Sequence, residues 1–446
     1  MNFSFSYYLS FSQIIFLKFI KLAINASYNV TMHRKQIVCQ LVAFTAAVWM
    51  LTGSVMRLEK PVDKVRLFTA GIEYDYFAWT LNALSEKAGQ EQINAAQRLS
   101  PEVQSRVVTR YFDLAQELES VRAQIQFVYS DPRTADPEAE TAELRSRQHS
   151  LEDTLNDLAA LTEGILQHQV SQALEDSGLG FLSQLVPPVL FHSAPLPTAL
   201  IVSPRDTIRQ DVNLSLLADL SLDEITNLEE SVEKQLNVSA LVEDVGGIGV
   251  YPTMVQRSSN LAWTLDTIAH EWTHNYLTLH PLGLLYNKSP ELRTMNETTA
   301  SIVGTEISQM VLERYYPAYL PANARANKAA GKAAEPASFD FYHEMHVTRV
   351  RVDELLAQGK VEEAEAYMEE RRIEFVKNGY MIRKLNQAYF AFHGAYAEVA
   401  EGAAGEDPVG PAVRELRAQS GSLAEFLKRI AWMSSFADLQ REIAQN

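Results

Sequence analysis

The chain has one cysteine in 446 residues, Cys39, which rules out an intrachain disulfide and any zinc site built on paired thiolates. It also lacks net positive charge. Lys and Arg number 39 against 56 Asp and Glu, and the balance of −17 argues against nucleic acid as a partner. No convincing internal repeat is present.

What the chain does have is length, one uncharged apolar run and long helical periodicity. At 446 residues it can hold two or three domains. Residues 1–36 read as a leader: the first 31 are apolar and aromatic but broken by Lys18 and Lys21, and Met32-His33-Arg34-Lys35 then resembles a translation start. This leader is expected to lie outside the genuine protein. Residues 37–56, Ile37 to Met56, hold 20 residues without a charge. At about 1.5 Å per residue they are long enough to cross a bilayer, so a single-pass membrane anchor is expected. Lys18, Lys21, Arg34 and Lys35 before the run are matched by Arg57, Lys60, Lys64 and Arg66 after it, so positive charge does not set the orientation.

Residues 57–180 are expected to form a long helical hairpin. Ser100-Pro101 opens a helix whose apolar residues Val103, Val107, Tyr111, Leu114, Leu118, Val121, Ile125 and Val128 step by four or three, the spacing of a heptad seam. Asp131-Pro132 ends it, and Leu144, Leu151, Leu155, Leu158 and Ile165 mark a second helix that stops at Gly178 and Gly180. An antiparallel pair packed on itself or on the rest of the chain is the simplest arrangement. The same seam offers a surface for a homo-oligomer or another partner.

Between Leu185 and Ser258 the pattern turns to short strands, expected at Thr198 to Val202, Ile208 to Leu214, Val238 to Val245 and Ile248 to Val255. A helix from Leu222 to Gln235 lies among them, opened by a capping box of Ser221 and Glu224. Gly246-Gly247 is expected to join the last two strands by a tight turn. Beyond Pro290 the chain reads as helical almost to its end, interrupted by an exposed loop from Pro321 to Ser338. The fold class is therefore mainly α with a small β-sheet, α+β.

The chemistry is concentrated in His270-Glu271-Trp272-Thr273-His274. Residues four apart on a helix share a face, so His270 and His274 can offer two imidazole nitrogens to one metal ion. Glu271 points about 100° away, where a carboxylate reaches a water beside the metal without becoming a ligand. Leu261, Leu265, Ile268 and Trp272 form the apolar stripe of the same helix, and the histidines lie off it. A catalytic zinc needs a third protein ligand. His280 completes the spacing of the metzincin proteases, but Leu277 stands where those need a glycine for a sharp turn. Glu291 follows Ser289-Pro290 and has a helix-start explanation, while Glu306 lies about 180° round the helix from Glu297. Glu297, in Asn296-Glu297-Thr298-Thr299-Ala300, is the other candidate.

With 22 residues between His274 and Glu297, this pattern resembles the gluzincin zinc metallopeptidases, the thermolysin and zinc-aminopeptidase clan, at His270, Glu271, His274, Glu297 and Ala300. Some members carry an acid four places after the third ligand, and this chain has Ser301 there. The resemblance implies Zn2+ held by His270, His274 and Glu297, with Glu271 as general base. It also implies a gluzincin-like catalytic domain over 181–446, in which residues 181–280 supply sheet and zinc helix and 281–446 are helical. An edge strand that pairs with the substrate backbone is implied at Ile248 to Tyr251. An oxyanion donor is implied on a C-terminal helix, where Tyr389, His393 and Tyr396 share one face of Asn386 to Val399, with His343 and His346 in reserve. The expected protein is a membrane-anchored peptidase acting on peptide or protein substrates. By analogy with single-anchor peptidases, its catalytic domain is placed outside the cytoplasm. A catalytically inactive helical scaffold and a zinc hydrolase acting on another amide are the alternatives.

Overall fold

The computed structural model describes residues 60–89, 96–130, 134, 136–180, 184–320, 339–395 and 403–445. The chain divides into two compact units, 1–63 and 64–446, and the helices and sheets that build the site belong to the second. The expected anchor at 37–56 and the loop at 321–338 lie outside the described residues. Among the described residues no helix is long and apolar enough to cross a membrane. The fold is mainly helical with small sheets, as the periodicities imply.

A helix α1 (Tyr76–Gly89) precedes the long pair α2 (Pro101–Ser130) and α3 (Ala142–Asp176). Gln104 meets Gln169, Arg122 meets Glu152 and Tyr129 meets Arg145, so partners on α3 fall in number as those on α2 rise, and the pair is antiparallel. Towards the tip, Leu114, Leu118 and Val121 close on Leu151 and Leu155, the seam expected from the heptads. At the root, Val108, Phe112, Ile165, Leu166, Val170 and Leu174 enter the main core. The hairpin thus packs both on itself and on the body of the protein.

Among the described residues six strands follow, β1 (Phe191–Ser193), β2 (Thr198–Pro204), β3 (Val212–Leu216), β4 (Val238–Asp244), β5 (Gly247–Ile248) and β6 (Thr253–Val255), with helix α4 (Leu222–Leu236) between β3 and β4. They make two three-stranded sheets instead of one. The first is antiparallel in the order β3-β2-β4, and the second runs β1-β6-β5, with β1 parallel to β6. The single strand expected over Ile248 to Val255 is therefore two, and the third strand begins at Val212, not Ile208. Gly246-Gly247 does not turn a hairpin, because it carries the chain from one sheet to the other. The reason is close approach: a Cβ at Gly246 would lie 2.7 Å from the Trp263 ring, and one at Gly247 would lie 2.6 Å from the Glu271 carboxylate. The capping box on α4 is as expected, with Ser221 and Glu224 bonded reciprocally.

The free edges of the first sheet are covered. Glu229 and Glu233 of α4 accept hydrogen bonds from the Val242 and Ala240 amides at 2.6 and 3.0 Å, which satisfies the β4 edge. On the β3 edge the Tyr74 amide donates to the Ser215 carbonyl at 2.9 Å, and Leu217 donates to Ile72 at 2.9 Å.

Helices α5 (Leu261–Leu277) and α6 (Pro290–Tyr315) form the centre of the main core. Leu261, Leu265, Ile268 and Trp272 are buried there as the stripe requires, with Met295, Val303 and Ile307 of α6 in the same core. Helices α7 (Phe341–Ala357), α8 (Val361–Lys377) and α9 (Gln387–His393) build a second core against Ala199, Ile201 and Leu241 of the first sheet. Helices α10 (Val409–Gln419), α11 (Leu423–Ala431) and α12 (Phe436–Ala444) return to the main core.

Candidate metal centre

Both helices that carry the site begin with side-chain caps. Asn260 accepts from the Trp263 amide to start α5, and Ser289 accepts from Leu292 with Pro290 in the first helical position to start α6. With the apolar stripe of α5 turned to the core, His270, Glu271 and His274 face Asn296 and Glu297 of α6.

Among the described residues, His270, His274 and Glu297 form a three-residue group able to hold a metal ion. The two imidazole Nε2 atoms are 3.1 Å apart, and Glu297 Oε2 lies 3.5 and 3.4 Å from them. Atoms bound tetrahedrally to one zinc at 2.0–2.1 Å stand about 3.3 Å apart, so the triangle already has the size of one face of such a site. Glu297 Oε2 is buried and has no hydrogen-bond partner among the described residues. The other oxygen, Oε1, accepts the Tyr286 hydroxyl. His274 Nδ1 donates to Asn296 Oδ1 at 2.7 Å, which leaves its Nε2 lone pair aimed at the centre. Electron-pair donors converge here, with His270 and His274 in hydrogen-bond contact through their Nε2 atoms, and a cation suits the arrangement.

In the metal-free chain that cation is a proton. Burial works against charge on His274, but the Glu297 carboxylate outweighs it and pushes the imidazole up to about 9. Glu297 is held well below the usual carboxylate range: burial opposes this, and the charge of His274 and contacts with both histidines prevail. Glu271, not part of the triangle, is raised mainly by burial, with the Glu297 charge adding to it and the two histidines opposing.

The triangle opens into a cleft of about 360 Å³ whose walls include Glu271, His274, Glu297, Tyr76, Tyr286 and Phe392. Strand β5, at the edge of its sheet, and Gly249 border it. A Cβ at Gly249 would lie 2.9 Å from the His274 Cβ, so this segment can rest on the helix only without a side chain there. Asn275 ties it down by donating to the Val250 carbonyl at 3.2 Å and to the Thr253 hydroxyl at 3.0 Å.

The competing ligands are engaged elsewhere. His280 bonds through Nδ1 to the Tyr276 carbonyl at 2.9 Å and stacks on Tyr276. Glu306 takes both arms of Arg417 at 2.7 and 2.9 Å. Glu291 is exposed in the first turn of α6. Of the expected oxyanion donors, Tyr389 and His393 are not among the residues lining the cleft. Tyr389 is buried in the second core with its ring 4.2 Å from His393, whose Nε2 lies 4.0 Å from Glu243. Phe392 between them is the residue of α9 that lines the cleft, and Tyr396 lies outside the described residues. His343 is exposed, and His346 sits 3.7 Å from Glu406. Sequence reasoning missed Tyr76 and Tyr286, which no motif marks. It noted Asn296 without its role, although adjacency to Glu297 was the available signal. No family model, curated protein or solved structure matches the chain.

Proposed function

We propose that the chain is a zinc-dependent peptidase in which His270, His274 and Glu297 hold Zn2+ and Glu271 is the general base. The observation that carries this reading is the buried, unbonded Glu297 Oε2 set 3.4 to 3.5 Å from two imidazole nitrogens. Two histidines, one carboxylate and an open side form a donor set that suits a catalytic zinc and offers no thiolate for a closed structural one. When bound, zinc polarises a carbonyl and lowers the pKa of an adjacent water.

The chain's own residues do the rest. Tyr286 fixes one oxygen of Glu297 and Asn296 fixes the tautomer of His274, so the ligands are oriented before metal arrives. Glu271 lines the cleft outside the ligand triangle. Its burial makes the carboxylate a stronger base than in water, suited to take a proton from the attacking water and deliver it to the leaving amine. The half-buried β5 is an edge strand beside the cleft and offers backbone groups to an extended peptide, which favours a peptide substrate over another amide. Attachment to a membrane through residues 37–56, with the catalytic part outside the cytoplasm, belongs to the same proposal.

The test is zinc content and turnover of a peptide library on one preparation of the full chain. Wild type should hold one zinc and cleave, while Glu271→Gln should keep the zinc and lose about 10² to 10⁴-fold in rate. A zinc-loaded wild type that cleaves no peptide, or a Glu271→Gln variant as active as wild type, refutes the reading.

A further inference from the structure

A tetrahedral intermediate in this cleft needs a hydrogen-bond donor for its oxyanion, and α9 turns Phe392 towards the space instead of Tyr389 or His393. We propose that Tyr76, at the start of α1 and far in sequence from the zinc helix, is that donor. The inference rests on the peptidase reading.

Of the polar groups around the cleft, two near the metal ligands are already committed: the Tyr286 hydroxyl to Glu297 and the Asn296 amide oxygen to His274. Tyr76 lines the cleft with Glu271, His274, Glu297 and Ser215, and its hydroxyl donates to Ser215 Oγ at 2.7 Å. A serine hydroxyl both accepts and donates. When the phenol hydrogen turns to an oxyanion, Ser215 can donate to the phenol oxygen in its place, so the switch leaves no buried atom unsatisfied.

The placement is built by backbone. Residues 72–74 add to the β3 edge through the Tyr74-to-Ser215 and Leu217-to-Ile72 bonds and the bridge between Glu73 and Leu216. Tyr74 packs edge-on against the Tyr76 ring at 5.1 Å. Burial, and to a lesser degree the negative charge of Glu271, raise the Tyr76 pKa, although the bond to Ser215 opposes them. The phenol therefore keeps its hydrogen at neutral pH.

Tyr76→Phe in the zinc-loaded full chain should lower kcat by about 10² to 10³-fold, the usual loss for one oxyanion donor, with KM changed by less than about threefold. Two probes read binding without turnover. A phosphinic peptide, tetrahedral and anionic at phosphorus, should lose affinity by a comparable factor, and a methylene-amino peptide without that oxyanion should bind unchanged. Ser215→Ala should lower kcat less, in the same sense, and supplies the test if Tyr76→Phe does not fold. Unchanged kcat in the folded variants overturns the inference, as does equal weakening of both probes or transfer of the whole effect to Tyr389→Phe. If wild type holds zinc yet neither cleaves the library nor binds the phosphinic peptide, the peptidase reading fails, and this inference with it.

Discussion

Two of the buried glutamates that sit beside histidines, Glu163 and Glu297, differ in how their oxygens end. Glu163 on α3 and Glu297 on α6 have side chains 6% and 4% exposed. Both are held below the usual carboxylate range although burial opposes it, Glu163 by His192 and Lys87 and Glu297 by its two histidines. Glu163 receives the Lys87 ammonium on one oxygen and the Ser193 amide on the other at 2.8 Å, with His192 Nδ1 at 3.3 Å. That network ties α1, α3 and β1 together and is complete. Glu297 has one oxygen bonded by Tyr286 and the other left facing two imidazole nitrogens. A carboxylate with a histidine is thus not enough to mark a metal site. The protein closes one such cluster with a lysine and leaves the other an electron pair short of a partner.

The largest expected effect breaks the comparison at Glu297. Glu297→Ala removes one of the three proposed ligands and should abolish tight zinc binding, whereas His280→Ala, which removes a ring stacked on Tyr276, should leave one zinc per chain. Metal analysis after dialysis against a weak chelator decides between them. Zinc retained by Glu297→Ala and lost by His280→Ala reverses the ligand assignment.

The closed cluster gives the next effect, on stability instead of metal. Lys87→Met strands the Glu163 charge in the interior and should destabilise the chain by about 3–5 kcal/mol, the usual cost of removing one partner of a buried ion pair. Adding Glu163→Gln to it removes the charge as well and should recover much of the loss. Denaturant midpoints of wild type, single and double variants measure this, with zinc content of the folded chain unchanged throughout. Equal destabilisation in the single and double variants would mean that Lys87 matters for packing on Phe191, over whose ring its ammonium sits at 5.7 Å, and not for charge.

The contrast also marks what could be read before the structure. The convergence of His270, His274 and Glu297 was legible because helical geometry turns spacing into direction: the histidines share a face at four residues, and Glu297 sits on a helix whose start Ser289-Pro290 announces. The hairpin seam and the α4 capping box were legible for the same local reason. Parallel pairing of β1 with β6, some 60 residues on, leaves no local trace, so two sheets read as one. Glycine pairs mark turns and close approaches alike, and Gly246-Gly247 turned out to be the second. Tyr389 is core, where an aromatic at helical spacing usually goes, and Tyr76 follows residues 72–74, whose pairing with β3 leaves no local trace. The lysine that closes the Glu163 cluster lies 76 residues before it, so the difference between the two glutamates is not visible in sequence.

The smallest expected effect sharpens the comparison through pH. In the metal-free chain burial opposes charge on His274, but Glu297 prevails and pushes the imidazole up from 6.5 to about 9. Zinc takes a deprotonated imidazole, so below pH 9 a proton must leave before it binds. Apparent zinc affinity should therefore rise by about tenfold per pH unit towards 9 and level off above it. Folding stability of the metal-free chain should move the other way. A folded pKa raised above the unfolded value contributes stability that is fully present below about 6.5 and is lost as pH rises through about 9, because only the folded chain holds that proton in between. The zinc-loaded chain has already released it and should lack the decline. Chelator-competition titrations at pH 6.5, 7.5 and 8.5, paired with thermal unfolding of metal-free and zinc-loaded chains, read both slopes. A zinc affinity that stays flat across that range would show that no proton is held between His274 and Glu297, and that the open oxygen of Glu297 is satisfied in some other way.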